Sequence, residues 1–191
     1  MAKFKTEKNS NYYSSSKTAI KQSGMKNQLE WIKRQLEYAD FSEKYSLRYD
    51  LKRGEIYEID WGININAEFS NRHFGVVLVD SDAFNPLVTV CPLKSNHAGA
   101  NPKSDIDLGF IPELGTMNTT LAVVNQVRTI DKLRIYLRRA IGRYGDRFLC
   151  DSYDEEKSSV MRLTNDKLKQ VLDGYKRYLE SAIAQIVVRD D

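Results

Sequence analysis

Lys52-Arg53-Gly54-Glu55-Ile56-Tyr57-Glu58-Ile59-Asp60-Trp61 alternates in character, with Tyr57, Ile59 and Trp61 on one face and Glu58 and Asp60 on the other. A period of two is that of a β-strand with one face toward a core. A polar loop from Gly62 to Asn71 leads into the apolar run Phe74-Gly75-Val76-Val77-Leu78-Val79. After a turn at Asn85-Pro86 comes a further run, Val88-Thr89-Val90-Cys91. Shorter strands are expected at Ser104–Leu108, Leu121–Val127 and Ala140–Tyr144. About five or six short strands with no helix between most of them predict a compact antiparallel barrel or sandwich, not a parallel α/β sheet.

Outward from this middle part the pattern changes. Residues 1–22 are polar, with Asn9-Ser10-Asn11 and Ser14-Ser15-Ser16-Lys17, and read as a flexible tail. Ser23 can cap a helix on which Met25, Leu29, Ile32, Leu36 and Ala39 recur at helical spacing, ending near Asp40. Residues 23–50 are therefore a helical extension whose apolar stripe needs a partner: the domain that follows, a second subunit or another protein. At the other end Thr164 is a good cap. Leu168, Val171, Leu172, Tyr175, Leu179, Ile183 and Ile186 make a stripe that either covers the open side of the barrel or binds a partner. Residues 51–191 thus form the main domain, of α+β class.

With 191 residues the chain is long enough for a core of its own. Cys91 and Cys150 stand far apart and in no metal-ligand spacing, so two buried thiols in a reducing compartment are expected. The charged start Met1-Ala2-Lys3-Phe4-Lys5 is followed by no signal-peptide core, and no run is long enough to span a bilayer. A cytoplasmic protein without a membrane partner is the expectation. The net charge of +3 is modest, but positive charge gathers in two regions. One is the first fifty-odd residues; the other holds Arg128, Lys132, Arg134, Arg138, Arg139, Arg143 and Arg147. Each reads equally as a solvated face or as a nucleic-acid contact.

There is no Gly-rich phosphate loop, no paired-carboxylate motif and no Ser-His-Asp signature, which argues against NTP hydrolysis and metallohydrolysis. No metal or cofactor is expected. Polar residues instead gather at the ends of apolar strands, where a scaffold fixes them and water reaches them. Asn71-Arg72-His73 opens one strand, Lys94-Ser95-Asn96-His97 follows another, and Asn125-Gln126-Val127-Arg128-Thr129 closes a third. His73 and His97 are either proton carriers for metal-free chemistry near neutral pH or idle surface histidines.

Four segments in this order resemble those of the MazF/PemK (Kid) toxin family. Lys52-Arg53-Gly54-Glu55-Ile56-Tyr57 is similar to its opening strand. Arg72 followed by Val76-Val77-Leu78-Val79 resembles its R-P-x-[VL]-V-[LI] segment, and Val88-Thr89-Val90-Cys91-Pro92-Leu93-Lys94-Ser95 its V-x-V-x-P-[IL]-T-S segment. Gln126-Val127-Arg128-Thr129-Ile130-Asp131-Lys132-Leu133-Arg134 resembles its Q-[IV]-R-T-I-D-K-x-R box, the most specific match. The resemblance runs from about Leu51 to Gly142 and does not cover the N-terminal extension.

It implies an SH3-like barrel shared with CcdB, a homodimer with single-stranded RNA along its face, and a cognate antitoxin that blocks the groove. It also implies sequence-specific, metal-independent cutting by attack of the ribose 2′-hydroxyl on the adjacent phosphate. The family's catalytic arginine falls on Arg72, where a guanidinium can hold a phosphate bidentately; a surface salt bridge is the alternative. The family's catalytic threonine falls on Lys94, a departure that leaves Ser95 as the nearest hydroxyl. The family's proline is replaced by His73, which can carry a proton. Glu68 and Asn71 in the preceding loop, with Gln126, Arg128 and Thr129 in the box, are expected at the RNA, or else as hydrogen-bonded strand ends. The expected function is an endoribonuclease toxin. The alternatives are a catalytically weakened RNA-binding module on the same barrel, or a CcdB-like topoisomerase poison acting at DNA.

Overall fold

A computed structural model describes residues 25–40, 49–64, 68–96, 99–136 and 160–187. The chain divides into two compact units, Met1–Tyr45 and Ser46–Asp191. In the first, helix α1 spans 25–40, where helical spacing predicts it. The Arg34 guanidinium lies 5.3 Å from the centre of the Trp31 ring, and Trp31 meets Tyr38 edge to face. The 1–22 tail and the Ser23 cap lie outside the described residues.

Among the described residues the second unit holds eight strands and an α-helix: β1 (Glu55–Asp60), β2 (Arg72–Val77), β3 (Leu87–Ser95), β4 (Asp105–Asp107), β5 (Thr120–Val123), β6 (Arg128–Asp131), β7 (Ile135–Tyr136), β8 (Met161–Arg162) and α2 (Asn165–Val187). The strands follow the order β4-β5-β3-β2-β1-β7, with β6 also on β3 and β8 also on β1. Every pairing is antiparallel. The architecture is the α+β, barrel-like one expected, but the sheet does not close. Long strand β3 is shared between two neighbours, pairing with β6 through Leu87–Val90 and with β5 through Leu93–Ser95.

Two cores lie on opposite faces of this sheet. Tyr57, Ile59 and Trp61 of β1 join Tyr49, Leu51, Val77, Val88, Val90, Ile130 and Ile135 in one. Ile56, Val76, Cys91, Leu93, Ala122 and Val124 form the other, under Val171 and the partly buried Leu168, Leu172 and Tyr175 of α2. β1 is a strand as expected, but both of its faces are covered: Ile56 and Asp60 are buried along with Tyr57, Ile59 and Trp61. The cause is pairing on both edges and cover by α2. Glu55 is buried too, and its carboxylate is fully engaged. It accepts from the Lys52 amide (2.7 Å), the Tyr57 hydroxyl (3.0 Å) and Arg162 (2.6 Å).

Boundaries shift for local reasons. The strand expected over Leu121–Val127 ends at Val123, and Val124–Gln126 turns as a short 3-10 segment because the Val124 amide bonds to Ser104 at the end of β4. The strand expected at Ala140–Tyr144 lies outside the described residues. Thr164 caps α2, accepting from the Lys167 amide at 3.4 Å. The cover expected from α2 is partial, since Leu179 and Ile183 are exposed. Cys91 is buried as expected, and burial pushes its thiol up to about 12, which leaves it inert. Cys150 lies outside the described residues.

Gly75 is where β2 crosses the first core. A Cβ there would stand 2.6 Å from Ile59 Cδ1 and 2.8 Å from Trp61 Cζ2. Gly75→Ala forces these buried groups apart, and urea unfolding should show a loss of about 1–3 kcal/mol.

Candidate active site

Arg72 opens β2, cross-strand from Asp60 and diagonal to Glu58. Strand alternation places Glu58 and Arg72 on the same face, and the two side chains form a fork. Arg72 Nε lies 2.7 Å from Glu58 Oε1, and Nη2 donates to Oε2 at 2.8 Å. The guanidinium also stacks 3.7 Å from the centre of the Tyr136 ring. A cation held by a bidentate acid and an aromatic face has one orientation, and it is half exposed.

Beside it is a cavity of about 230 Å³. Arg72, His73, Lys94 and Ser95, the four residues expected to be catalytic, all line it, as do Glu58, Thr116 and Thr120; Phe74, Leu93 and Leu114 supply its apolar walls. Residues from β2, β3 and β5 meet here because these strands are neighbours, with Ser95 paired to Thr120.

Within this group the chemistry is uneven. The Lys94 ammonium is tied to Asp105 at 2.8 Å, and that carboxylate is buried and also accepts from the Asn101 amide (2.8 Å). The His73 ring packs edge to face on Phe69, 4.9 Å between centres. Burial holds its imidazole below the ordinary 6.5, with Glu58 pulling the other way, so it is neutral near pH 7. Thr120 Oγ1 is buried with no hydrogen-bond partner among the described residues. A hydroxyl left in that state costs about 1–3 kcal/mol.

The residues expected at the RNA do not line this cavity. Gln126 Oε1 accepts from the Phe69 amide at 2.5 Å. Arg128 Nη2 donates to the carbonyls of Trp61 (3.0 Å) and Phe69 (3.3 Å), with its guanidinium 4.9 Å from the Trp61 ring. Asn71, at φ +66, donates to Gly62 O and accepts from the Trp61 amide. These three residues brace the loop that delivers Arg72. Thr129 meets Thr89 across the strands at 3.2 Å, and Glu68 sits exposed in the braced loop, its carbonyl accepting from Ser70.

The second basic region is not one wet face. Lys132 is buried and donates to the carbonyls of Tyr49 (2.9 Å) and Asp82 (2.6 Å). Burial lowers its pKa, against three nearby aspartates. Arg138, Arg139, Arg143, Arg147 and His97 lie outside the described residues. Glu58, Asp105, Tyr136 and Thr120 are site residues that sequence reasoning missed. Only Glu58 had a signal, as an acid on the polar face of the first expected strand, which it shares with Asp60. Among the described residues no three His, Cys, Asp or Glu side chains are placed to hold a metal ion, and no helix is long and apolar enough to cross a membrane.

The family described as PemK-like, MazF-like toxin of type II toxin–antitoxin system matches residues 52–151, just over half of the chain. The chain belongs to this family, and its match begins at Lys52, three residues before β1. A toxin of such a system has a cognate antitoxin as its partner. No curated protein matches the chain.

Gln126→Ala should leave the Phe69 amide unbonded. Hydrogen exchange at that amide is expected to quicken by about tenfold, with a loss of about 1 kcal/mol in overall stability.

Proposed function

We propose that the protein is a sequence-specific endoribonuclease that cuts single-stranded RNA without a metal, with Arg72 as the clamp on the scissile phosphate. The observation that carries this is the Glu58–Arg72–Tyr136 arrangement beside the cavity: a preoriented guanidinium, half exposed, with a carboxylate on the same face. A guanidinium fixed before the substrate arrives stabilises the charge that builds on the phosphate without reorganising in the transition state.

In this mechanism the phosphate takes one edge of the Arg72 fork and frees one Glu58 oxygen. That oxygen accepts the proton of the ribose 2′-hydroxyl as its oxygen attacks phosphorus. The bond to the 5′-oxygen breaks, that oxygen takes a proton from water, and a 2′,3′-cyclic phosphate remains. Ser95 supplies a hydroxyl to a non-bridging oxygen. Lys94, neutralised by Asp105, acts through its field more than by contact. His73, neutral near pH 7, is the second group able to accept the proton. The substrate lies along the face of a homodimer in the cytoplasm, and the antitoxin competes for that face.

The Lys94–Asp105 ion pair favours a second reading, an RNA-binding module that does not cut. Incubation of the protein with unstructured RNA in chelator separates the two. Discrete fragments ending in cyclic phosphate are expected, whereas absent or smeared cleavage would sink the nuclease reading. Arg72→Ala should slow cutting by about 10²–10³-fold. Glu58→Gln should slow it by about 10²–10⁴-fold. His73 is tested by pH. Its imidazole charges only below pH 6.5, so if it takes the proton the rate falls with acid in that range, and His73→Gln removes that fall. If Glu58 takes it, His73→Gln leaves the pH profile as it was.

A further inference from the structure

We propose that the cavity is a nucleobase pocket and that the Thr120 hydroxyl reads the base adjoining the phosphate held by Arg72, an inference that rests on the ribonuclease reading above. Thr120 is 2% exposed and its Oγ1 has no partner among the described residues, yet it lines a cavity open to a ligand. Buried hydroxyls are almost always bonded, and an unbonded one on a residue that lines a cavity points to a partner that arrives with the ligand.

The surroundings specify the kind of ligand. Phe74, Leu93 and Leu114 give apolar walls, which suit a planar base and repel a phosphate. Ser95, whose hydroxyl the mechanism gives to the phosphate, stands directly cross-strand from Thr120, so a base read by Thr120 adjoins that phosphate. The Thr120 hydroxyl both donates and accepts, as a base edge requires. Charge is arranged the opposite way: the Arg72 side chain is 49% exposed at the rim, while Thr120 is sealed inside. The phosphate belongs at the rim and the base within. Thr116 is less free to read a base, because its hydroxyl already donates to Asn118 O at 3.0 Å.

The test is binding of the full chain to the ribonucleoside 3′- and 5′-monophosphates of adenine, guanine, cytosine and uracil, followed by calorimetry or NMR. Wild type should prefer one base. Thr120→Val should lower affinity for that base by about 5–10-fold and leave the others unchanged, Thr120→Ser should restore the preference, and Arg72→Ala should weaken all nucleotides alike. Thr120→Val should also melt at or above the wild-type temperature, since the lost hydroxyl has no partner among the described residues.

Equal affinity of wild type for all the nucleotides, no binding of any, or unchanged binding by Thr120→Val overturns the proposal. So does a lower melting temperature for Thr120→Val that Thr120→Ser corrects, because that marks a structural hydroxyl. Base preference without RNA cutting would remove the nuclease reading and keep the pocket. Cutting to cyclic phosphate with sites indifferent to Thr120→Val would do the reverse.

Discussion

Burial of strand β1 on both faces is the constraint from which the rest of the second unit follows. Its odd and even residues serve different cores, Ile56 on the α2 side and Tyr57, Ile59 and Trp61 on the other. A strand so enclosed must be paired on both edges, as it is by β2 and by β7 and β8. It also demands close approach from its neighbour. Gly75 provides that, having no Cβ to strike Ile59 and Trp61. Glu58 is the one position of β1 that reaches water, and it is the residue that forks onto Arg72. The site therefore grows from the gap in an otherwise sealed strand.

A second layer of support comes from the loop between β1 and β2. Gln126, Arg128 and Asn71 hold its backbone by hydrogen bonds to Phe69, Trp61 and Gly62, so the strand that begins at Arg72 starts from a fixed point. Residues one step from a reacting group that lock its position are how folded proteins keep such groups preoriented. The polar strand-end motif around Gln126 thus acts on Arg72 through the backbone, and it does so while leaving the cavity itself to β2, β3 and β5.

Electrostatically the cavity is balanced. Arg72 is matched by Glu58 and Lys94 by Asp105, and His73 is neutral near pH 7. Such a site does not draw in anions by excess charge; it offers directional donors and a shaped apolar interior. That suits discrimination among bases more than indiscriminate binding of phosphate backbone, whose affinity rests on unpaired cations.

The alternation of Lys52–Trp61, the apolar runs of β2 and β3, the Thr164 cap and the strand-end placement of Arg72, His73, Lys94 and Ser95 were legible in the chain alone, because local periodicity and turn chemistry dictate them. The motif order was enough to point to the family. Only tertiary structure decided which polar groups meet. Charge along a sequence does not say whether Lys132 lies in water or beneath Tyr49, whether Arg128 faces a ligand or the carbonyl of Trp61, or that Asp105 neutralises Lys94. Nor could the chain reveal Thr120, since a hydroxyl at a strand start is ordinary until the fold buries it without a partner among the described residues. Contacts between residues distant in sequence depend on register and on the sharing of β3 between β5 and β6, and no local pattern encodes either.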